Sequence, residues 1–214
     1  MKPGLLAALS GVAIAISAPA SAVTVLTFEG IADNSAVGNF YAPDYIFSDD
    51  TLALVDSDSG GGGNFANEPS PNTIMFFLNA NNAVLNVPAG FDTGFSFFYT
   101  SSTAATVNVY DGLDATGNLL GSINLLAQHT DNCSGDPGGT FCNWTAIGVA
   151  FAGTAMSIDF GGTANQTGYD NITFGSDRPG TGVVPEPATW AMMIGGLALV
   201  GASMRRRKVA VSFV

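Results

Sequence analysis

Ala105-Thr106-Val107-Asn108-Val109-Tyr110 runs into Asp111-Gly112-Leu113-Asp114-Ala115-Thr116-Gly117 and resumes as the apolar-rich segment Leu119–Leu126. Successive side chains of a strand point to opposite faces, so Val107 and Val109 share one face and Thr106 and Asn108 the other. The Asp- and Gly-rich heptapeptide between the two runs is a compact turn, and together they predict a hairpin. Met156, Ile158 and Phe160 alternate with Ser157 and Asp159 in the same way. Working outward, the same reading predicts strands at Val23–Phe28, Thr51–Val55, Thr73–Leu78, Ala83–Val87, Gly94–Thr100, Trp144–Phe151, Thr154–Phe160 and Tyr169–Phe174. Gly, Asn, Asp, Pro and Ser clusters separate them, the longest being the surface loop Asp56–Gly63. No window here has helical spacing. Ten short strands with non-local pairing predict an all-β fold: a single jelly-roll-like β-sandwich over residues 23–176.

Charge narrows the function. The chain has 214 residues and a formal net charge of −11, but its six basic residues are unevenly placed. Lys2 is at the start, Arg205, Arg206, Arg207 and Lys208 are clustered near the end, and Arg178 is the only cation between Val23 and Val184. The predicted sandwich therefore has no Lys or Arg with which to bind a phosphate backbone, and nucleic-acid binding is excluded. Phosphoryl transfer and nucleotide binding fall with it, since there is no phosphate loop either.

Both termini read as export signals. Met1-Lys2, the apolar run Gly4–Ala18 and Ala20-Ser21-Ala22 have the layout of a signal peptide, 1–22, for the Sec machinery and signal peptidase. A Gly-, Pro- and Ser-containing linker, 177–184, follows the sandwich. Ala188–Met204 is an uncharged stretch at the short limit for a transmembrane helix, 188–204. Trp190 stands where an interfacial aromatic anchors one end. Arg205, Arg206, Arg207 and Lys208 hold the other in the cytoplasm, leaving 209–214 as a cytoplasmic tail.

Pro185-Glu186-Pro187, then Trp190-Ala191, a Gly-containing apolar stretch and the basic cluster resemble the PEP-CTERM sorting signal of Gram-negative bacteria in its PEPxxWAMM variant. The same tail is also catalogued as the ice-binding-protein C-terminal domain. The resemblance spans 185–208 and implies recognition by an exosortase, a membrane-embedded cysteine transpeptidase that cleaves near Pro-Glu-Pro. It implies an inner-membrane-anchored precursor with a periplasmic domain, then delivery to the cell surface or extracellular matrix. Such a tail assigns a route and not an activity. More loosely, Leu26–Gly30, Gly61–Pro69 and Gly168–Phe174 resemble other exported β-sandwich proteins with this tail.

Within the body, enzyme signals are thin. His129 is the only histidine, no nucleophile elbow accompanies it, and Asp49-Asp50 would point to opposite faces of a strand. Asp56-Ser57-Asp58-Ser59-Gly60-Gly61 begins like a calcium-binding EF-hand loop but fails at its fifth and twelfth positions, Gly60 and Asn67. Glu29 and Asp170 are the stronger metal candidates, because first and last strands of jelly rolls often lie side by side and share a structural Ca²⁺. Cys133 and Cys142, in an exported segment, predict a local disulfide around an Asp-Pro-Gly-Gly turn; zinc lacks enough ligands. Trp144 and Phe141, beside Cys142, are candidates for a carbohydrate-stacking platform. The expected function is a non-catalytic surface or matrix protein that holds exopolysaccharide. A secreted hydrolase and an adhesin or ice-binding surface are the alternatives.

Overall fold

The computed structural model describes residues 23–130, 134, 139–180, 194, 196, 197 and 201. The strands lie within one unit, Ala22–Glu186. Of the other unit, Met1–Ser21 with Pro187–Val214, four residues are described: Ile194, Gly196, Leu197 and Gly201, all helical and exposed. No helix among the described residues is long and apolar enough to cross a membrane. The expected span 188–204 lies largely outside those residues, as do the signal segment 1–22, the sorting motif at Pro185-Glu186-Pro187 with Trp190-Ala191, and the basic cluster.

Twelve strands form two antiparallel sheets. They are β1 (Thr24–Leu26), β2 (Ser35–Ala36), β3 (Ile46–Phe47), β4 (Thr51–Val55), β5 (Thr73–Phe77), β6 (Asn82–Phe91), β7 (Gly94–Ser101), β8 (Ala105–Tyr110), β9 (Leu119–Leu125), β10 (Thr145–Ala150), β11 (Ala155–Gly161) and β12 (Thr167–Phe174). One sheet has the order β10-β7-β12-β5-β4-β2, with β1 also on β12; the other is β3-β6-β11-β8-β9. From β5 onward the chain crosses repeatedly between sheets, as the jelly-roll-like reading requires. The two strands missing from the sequence reading, β2 and β3, have two residues each, too few to show a period.

The core forms where the two inner faces meet. Val107 and Val109 are fully buried, as alternation predicts. On β11, Ile158 and Phe160 face inward but Met156 does not, and Ala155 takes the core position instead. The cause lies on the partner strand: the register jumps from Asn86 opposite Ser157 to Phe91 opposite Ala155. Pro88 and Gly90 (φ 73°) occupy that bulge, so β6 continues beyond Val87 through residues that cannot hold a regular ladder. Phe160 is wedged against Phe95, Phe97 and Tyr169 of the opposite sheet at centroid distances of 5.8, 6.0 and 5.0 Å. Each ring buried this way contributes roughly 1.5–3 kcal/mol.

Candidate functional site

Two strands share one edge of β12. β1 pairs with Ile172–Phe174 and β5 with Gly168 and Tyr169, which leaves Asp170 and Asn171 at the seam between them. The β12 register against β7 also shifts there, and Asn171 adopts φ 48°. Glu29 follows β1 and Ser70–Thr73 leads into β5, so both enter this seam. Asp170 Oδ2 accepts from the Ser70 N–H at 2.7 Å, and its Oδ1 accepts from the Ser70 hydroxyl at 2.8 Å and the Asn171 N–H at 2.7 Å. Glu29 Oε1 accepts from the N–H groups of Asn72 and Thr73, both at 2.9 Å. The predicted pair Glu29 and Asp170 is thus brought onto one four-residue segment, Ser70–Thr73.

Burial dominates the electrostatics of the seam. Burial pushes the Asp170 carboxyl up to about 7; the Ser70 and Asn171 donors oppose that shift, and the Glu29 charge adds to it. The Tyr41 hydroxyl, which accepts from the Phe28 N–H at 2.7 Å, is pushed up to about 12 by burial and then by Asp170 and Glu29. Asn171 Oδ1 is buried with no hydrogen-bond partner. The seam is therefore rich in oxygen acceptors. Among the described residues, however, no three His, Cys, Asp or Glu side chains converge on a point, so a cation here would also need carbonyl or amide oxygens.

A second feature lies on the outer face of the larger sheet. Leu54, Ile74, Phe76, Thr100 and Gly168 face outward because they alternate with the core residues Ala53, Met75, Phe77, Tyr99 and Tyr169. Two stretches fold over them, 56–72 and 139–144. Phe65 and Phe141 form a parallel bridge, the Ala66 N–H donates to Phe141 O at 3.1 Å, and the Thr140 N–H donates to Asn64 O at 2.7 Å. Beneath them is a narrow hollow, lined by the buried Phe65 and the half-buried Phe141, with Asn64, Thr100, Asn165 and Thr167 as polar groups. None of its lining side chains is charged.

The predicted platform is divided. Phe141 lines this hollow and also tilts against His129 at 5.3 Å. Trp144 packs edge-on to Phe65 at 6.3 Å and donates its indole N–H to Ala66 O at 3.0 Å, so the ring braces the loop. Cys142 is buried and disulfide-bonded; Cys133, the chain's only other cysteine, lies outside the described residues. Asp49 and Asp50 sit in an exposed turn. The Asp56 carboxylate caps the short 3-10 turn Ser57–Ser59 by accepting from the Asp58 N–H. The Gly-rich loop after it is tightly folded: a Cβ on Gly61 would lie 2.1 Å from Val55 O, and one on Gly63 2.4 Å from the Phe65 ring. Asn64, Phe65, Thr100, Asn165 and Thr167 were not legible as a site, since they come from three separated stretches of chain.

Residues 183–208 match the family model described as the PEP-CTERM protein-sorting motif. No curated protein matches the chain. Among solved structures it is similar to a family 6 carbohydrate-binding module, with 14% identity over 71% of this chain and 92% of the module, and a TM-score of 0.39. It is similar to the K1 cleaved adhesin domain of Lys-gingipain from Porphyromonas gingivalis, with 13% identity over 72% of this chain and 98% of that domain, and a TM-score of 0.46. CsCBM6-3 from Clostridium stercorarium, solved with cellobiose, is 15% identical over 71% of this chain and 92% of its own, with a TM-score of 0.37. These likenesses concern overall β-sandwich architecture alone.

Proposed function

We propose that this chain, a bearer of the PEP-CTERM sorting motif over residues 183–208, is an exported, exosortase-processed and non-catalytic surface or matrix protein whose sandwich holds polysaccharide. The tail supports the route: an anchored precursor with a periplasmic domain, trimmed near Pro185-Glu186-Pro187 and delivered to the cell surface. The observation that carries the binding reading is the outer-face hollow, whose rim carries the half-buried Phe141 with Asn64 and Asn165. Aromatic faces suit the C–H face of a sugar ring, and amide and hydroxyl groups suit its hydroxyls. The chain has no Lys or Arg from Val23 to Gly175, so a neutral polymer meets no electrostatic barrier where an anionic one would.

A calcium ion at Glu29 and Asp170 completes the reading. The oxygen-only donor set, two carboxylates without a cation beside them and the orphaned Asn171 Oδ1 all suit a hard divalent ion. Its role would be structural, fastening β1, β5 and β12 at their seam. The test is co-sedimentation of the full-length chain, in detergent, with insoluble neutral polysaccharides, with calcium and with chelator. Retention without release of reducing ends is the expected result. Steady release of reducing ends would instead make the protein a hydrolase, and failure to sediment with any polymer would reject the binding reading.

A further inference from the structure

We infer that the bare edge of β9 is a self-association surface, at which a second copy of this chain adds its own β9 antiparallel and joins the two smaller sheets into one. The inference stands apart from the polysaccharide reading and does not need it.

A sheet edge offers unpaired N–H and C=O groups to any extended chain, and proteins guard such edges with very short strands, charged side chains or a covering segment. One side of this sandwich uses these devices. Its edge strands β2 and β3 have two residues each, and the exposed Asp44, Asp49 and Asp50 flank β3. The opposite side ends in β9 and β10, which lie against each other where Val149 packs on Gly121. There the segment after β12 sets Asp177 against Gly148 of β10. β9 is left bare. It runs for seven residues, and among the described residues β8 is its only backbone partner. No Asp, Glu, Lys or Arg occurs anywhere in residues 115–130, and β8 has none either. Leu119 and Leu126, 55% and 71% exposed, stand at its two ends.

Charge chooses the occupant. The chain has no Lys or Arg from Val23 to Gly175, so two copies repel wherever their carboxylates approach. At the β9 edge they meet without that cost. The outward side chains of β8 and β9 form an uncharged polar ladder: Ser122 Oγ donates to Asn108 Oδ1 at 2.8 Å, and Thr106 Oγ1 to Asn124 Oδ1 at 3.3 Å.

The register follows from the faces. Residues directly opposite in an antiparallel pair share a face, and on β9 Ser122 and Asn124 are exposed while Ile123 and Leu125 are buried. The regular part of the strand, residues 121–125, lies beyond the irregularity opposite Val109 and Tyr110 and is centred on Ile123. Two-fold pairing about Ile123 sets Ser122 opposite Asn124 of the second copy, Gly121 opposite Leu125, and the exposed Leu126 opposite Leu120. The polar ladder then continues outside and the apolar row inside. A two-fold uses each bare edge once, so the assembly closes as a dimer and does not grow.

The experiment is sedimentation equilibrium of the full-length chain, in detergent, over a range of concentration and salt. Two double variants accompany it: Ser122→Lys with Asn124→Lys, and Ser122→Glu with Asn124→Glu. All four substitutions fall on exposed side chains, so melting should show both variants folded. The wild type should form a dimer that tightens with added salt, which screens the carboxylates. Each double variant sets two like-charged pairs face to face and should dimerise roughly tenfold or more weakly. Mixing the two variants sets Lys against Glu and should restore the dimer. A wild type that stays monomeric at every concentration would overturn the inference. So would a dimer that both variants keep, since another surface then holds it, a mixture that restores nothing, salt that loosens the wild type, or assembly that grows past two copies.

Discussion

Ser70 and Asp170, 100 residues apart in sequence, are joined by two hydrogen bonds in the buried seam, from the Ser70 N–H at 2.7 Å and its hydroxyl at 2.8 Å. The pair ties the segment entering β5 to the middle of β12 at the one place where β12 changes its partner from β5 to β1. Stability at this point depends on which state the Asp170 carboxyl occupies.

The pH dependence follows from that carboxyl. Burial first, and the Glu29 charge in addition, raise it to about 7 from an ordinary value of 3.8. The native state thus keeps a proton that the unfolded chain has already released, so stability falls as pH rises from about 4 to about 7. The span is about 4 kcal/mol at roughly 1.36 kcal/mol per pH unit, an order-of-magnitude figure. Melts of the full-length chain in chelator should show the midpoint dropping across this window, and Asp170→Asn should flatten the drop. A midpoint that rises from pH 4 to 7 because of this residue would contradict the burial argument.

Calcium should reverse that slope. An ion bound between Glu29 and Asp170 favours the ionised carboxyl and repays the desolvation that burial imposes. Calcium at ~100 Kd should stabilise by roughly 2.7 kcal/mol, with the gain largest above pH 7. The Glu29→Ala, Asp170→Ala double variant should lose this response. An unchanged midpoint in the wild type, or a full response in the double variant, would remove calcium from the seam.

Cysteine pairing can be read directly. Linking Cys133 to Cys142 closes a loop of about ten residues, worth roughly 2–3 kcal/mol in the chain-entropy model before strain. Peptide mapping of exported protein without reductant should recover the two cysteines in one cross-linked species. Two alkylatable thiols would refute the pairing.

Sorting has its own variant. Replacing Pro185, Glu186 and Pro187 with alanines keeps the apolar stretch and the basic cluster but deletes the recognised motif. The precursor should accumulate in the inner-membrane fraction, while the wild type reaches the surface. Normal release of the triple variant would dismiss exosortase processing.

Much of the fold was legible because sandwich strands carry a period of two: Val107 with Val109, and Ile158 with Phe160, mark their own inner face. The reading failed at Met156, where the bulge on β6 cancels the period, and at Ser35–Ala36 and Ile46–Phe47, which are too short to have one. The meeting of first and last strands was legible through topology: β1 pairs with β12, and Glu29 and Asp170 both bond the Ser70–Thr73 segment beside it. The outer-face hollow was not. Phe65, Thr100, Phe141 and Asn165 become neighbours only when two stretches close over a sheet, and nothing in local sequence encodes that meeting.

The end of the sandwich is held by glycines. After β12 the chain turns back over β7 and β10: the Gly175 N–H donates to Gly94 O at 3.0 Å, Ser96 Oγ to Ser176 O at 2.9 Å, and the Gly180 N–H to Thr173 Oγ1 at 3.0 Å. This approach is close enough that a Cβ on Gly148 would lie 2.2 Å from Asp177 O and 2.6 Å from Ser96 Cβ. Both obstacles are backbone or the root of a side chain, so neither can rotate away. Gly148→Ala should therefore push residues 175–180 off the sheet, at a cost of about 1–3 kcal/mol for overpacking. Gly121 offers a control at a similar site, because its Cβ would meet only Val149 methyl groups at 3.1 Å, which can adjust. Hydrogen exchange of the Gly180 amide reads the effect: it should be protected in the wild type and in Gly121→Ala, and fast in Gly148→Ala. The consequence reaches the tail, since Gly180 is anchored and the sorting motif begins at residue 183, so the folded domain sits within three residues of it. Releasing the segment lengthens that tether, and precursor trimming in cells should change rate in Gly148→Ala but not in Gly121→Ala. Continued protection of Gly180 in Gly148→Ala would show that β10 yields instead of the strap.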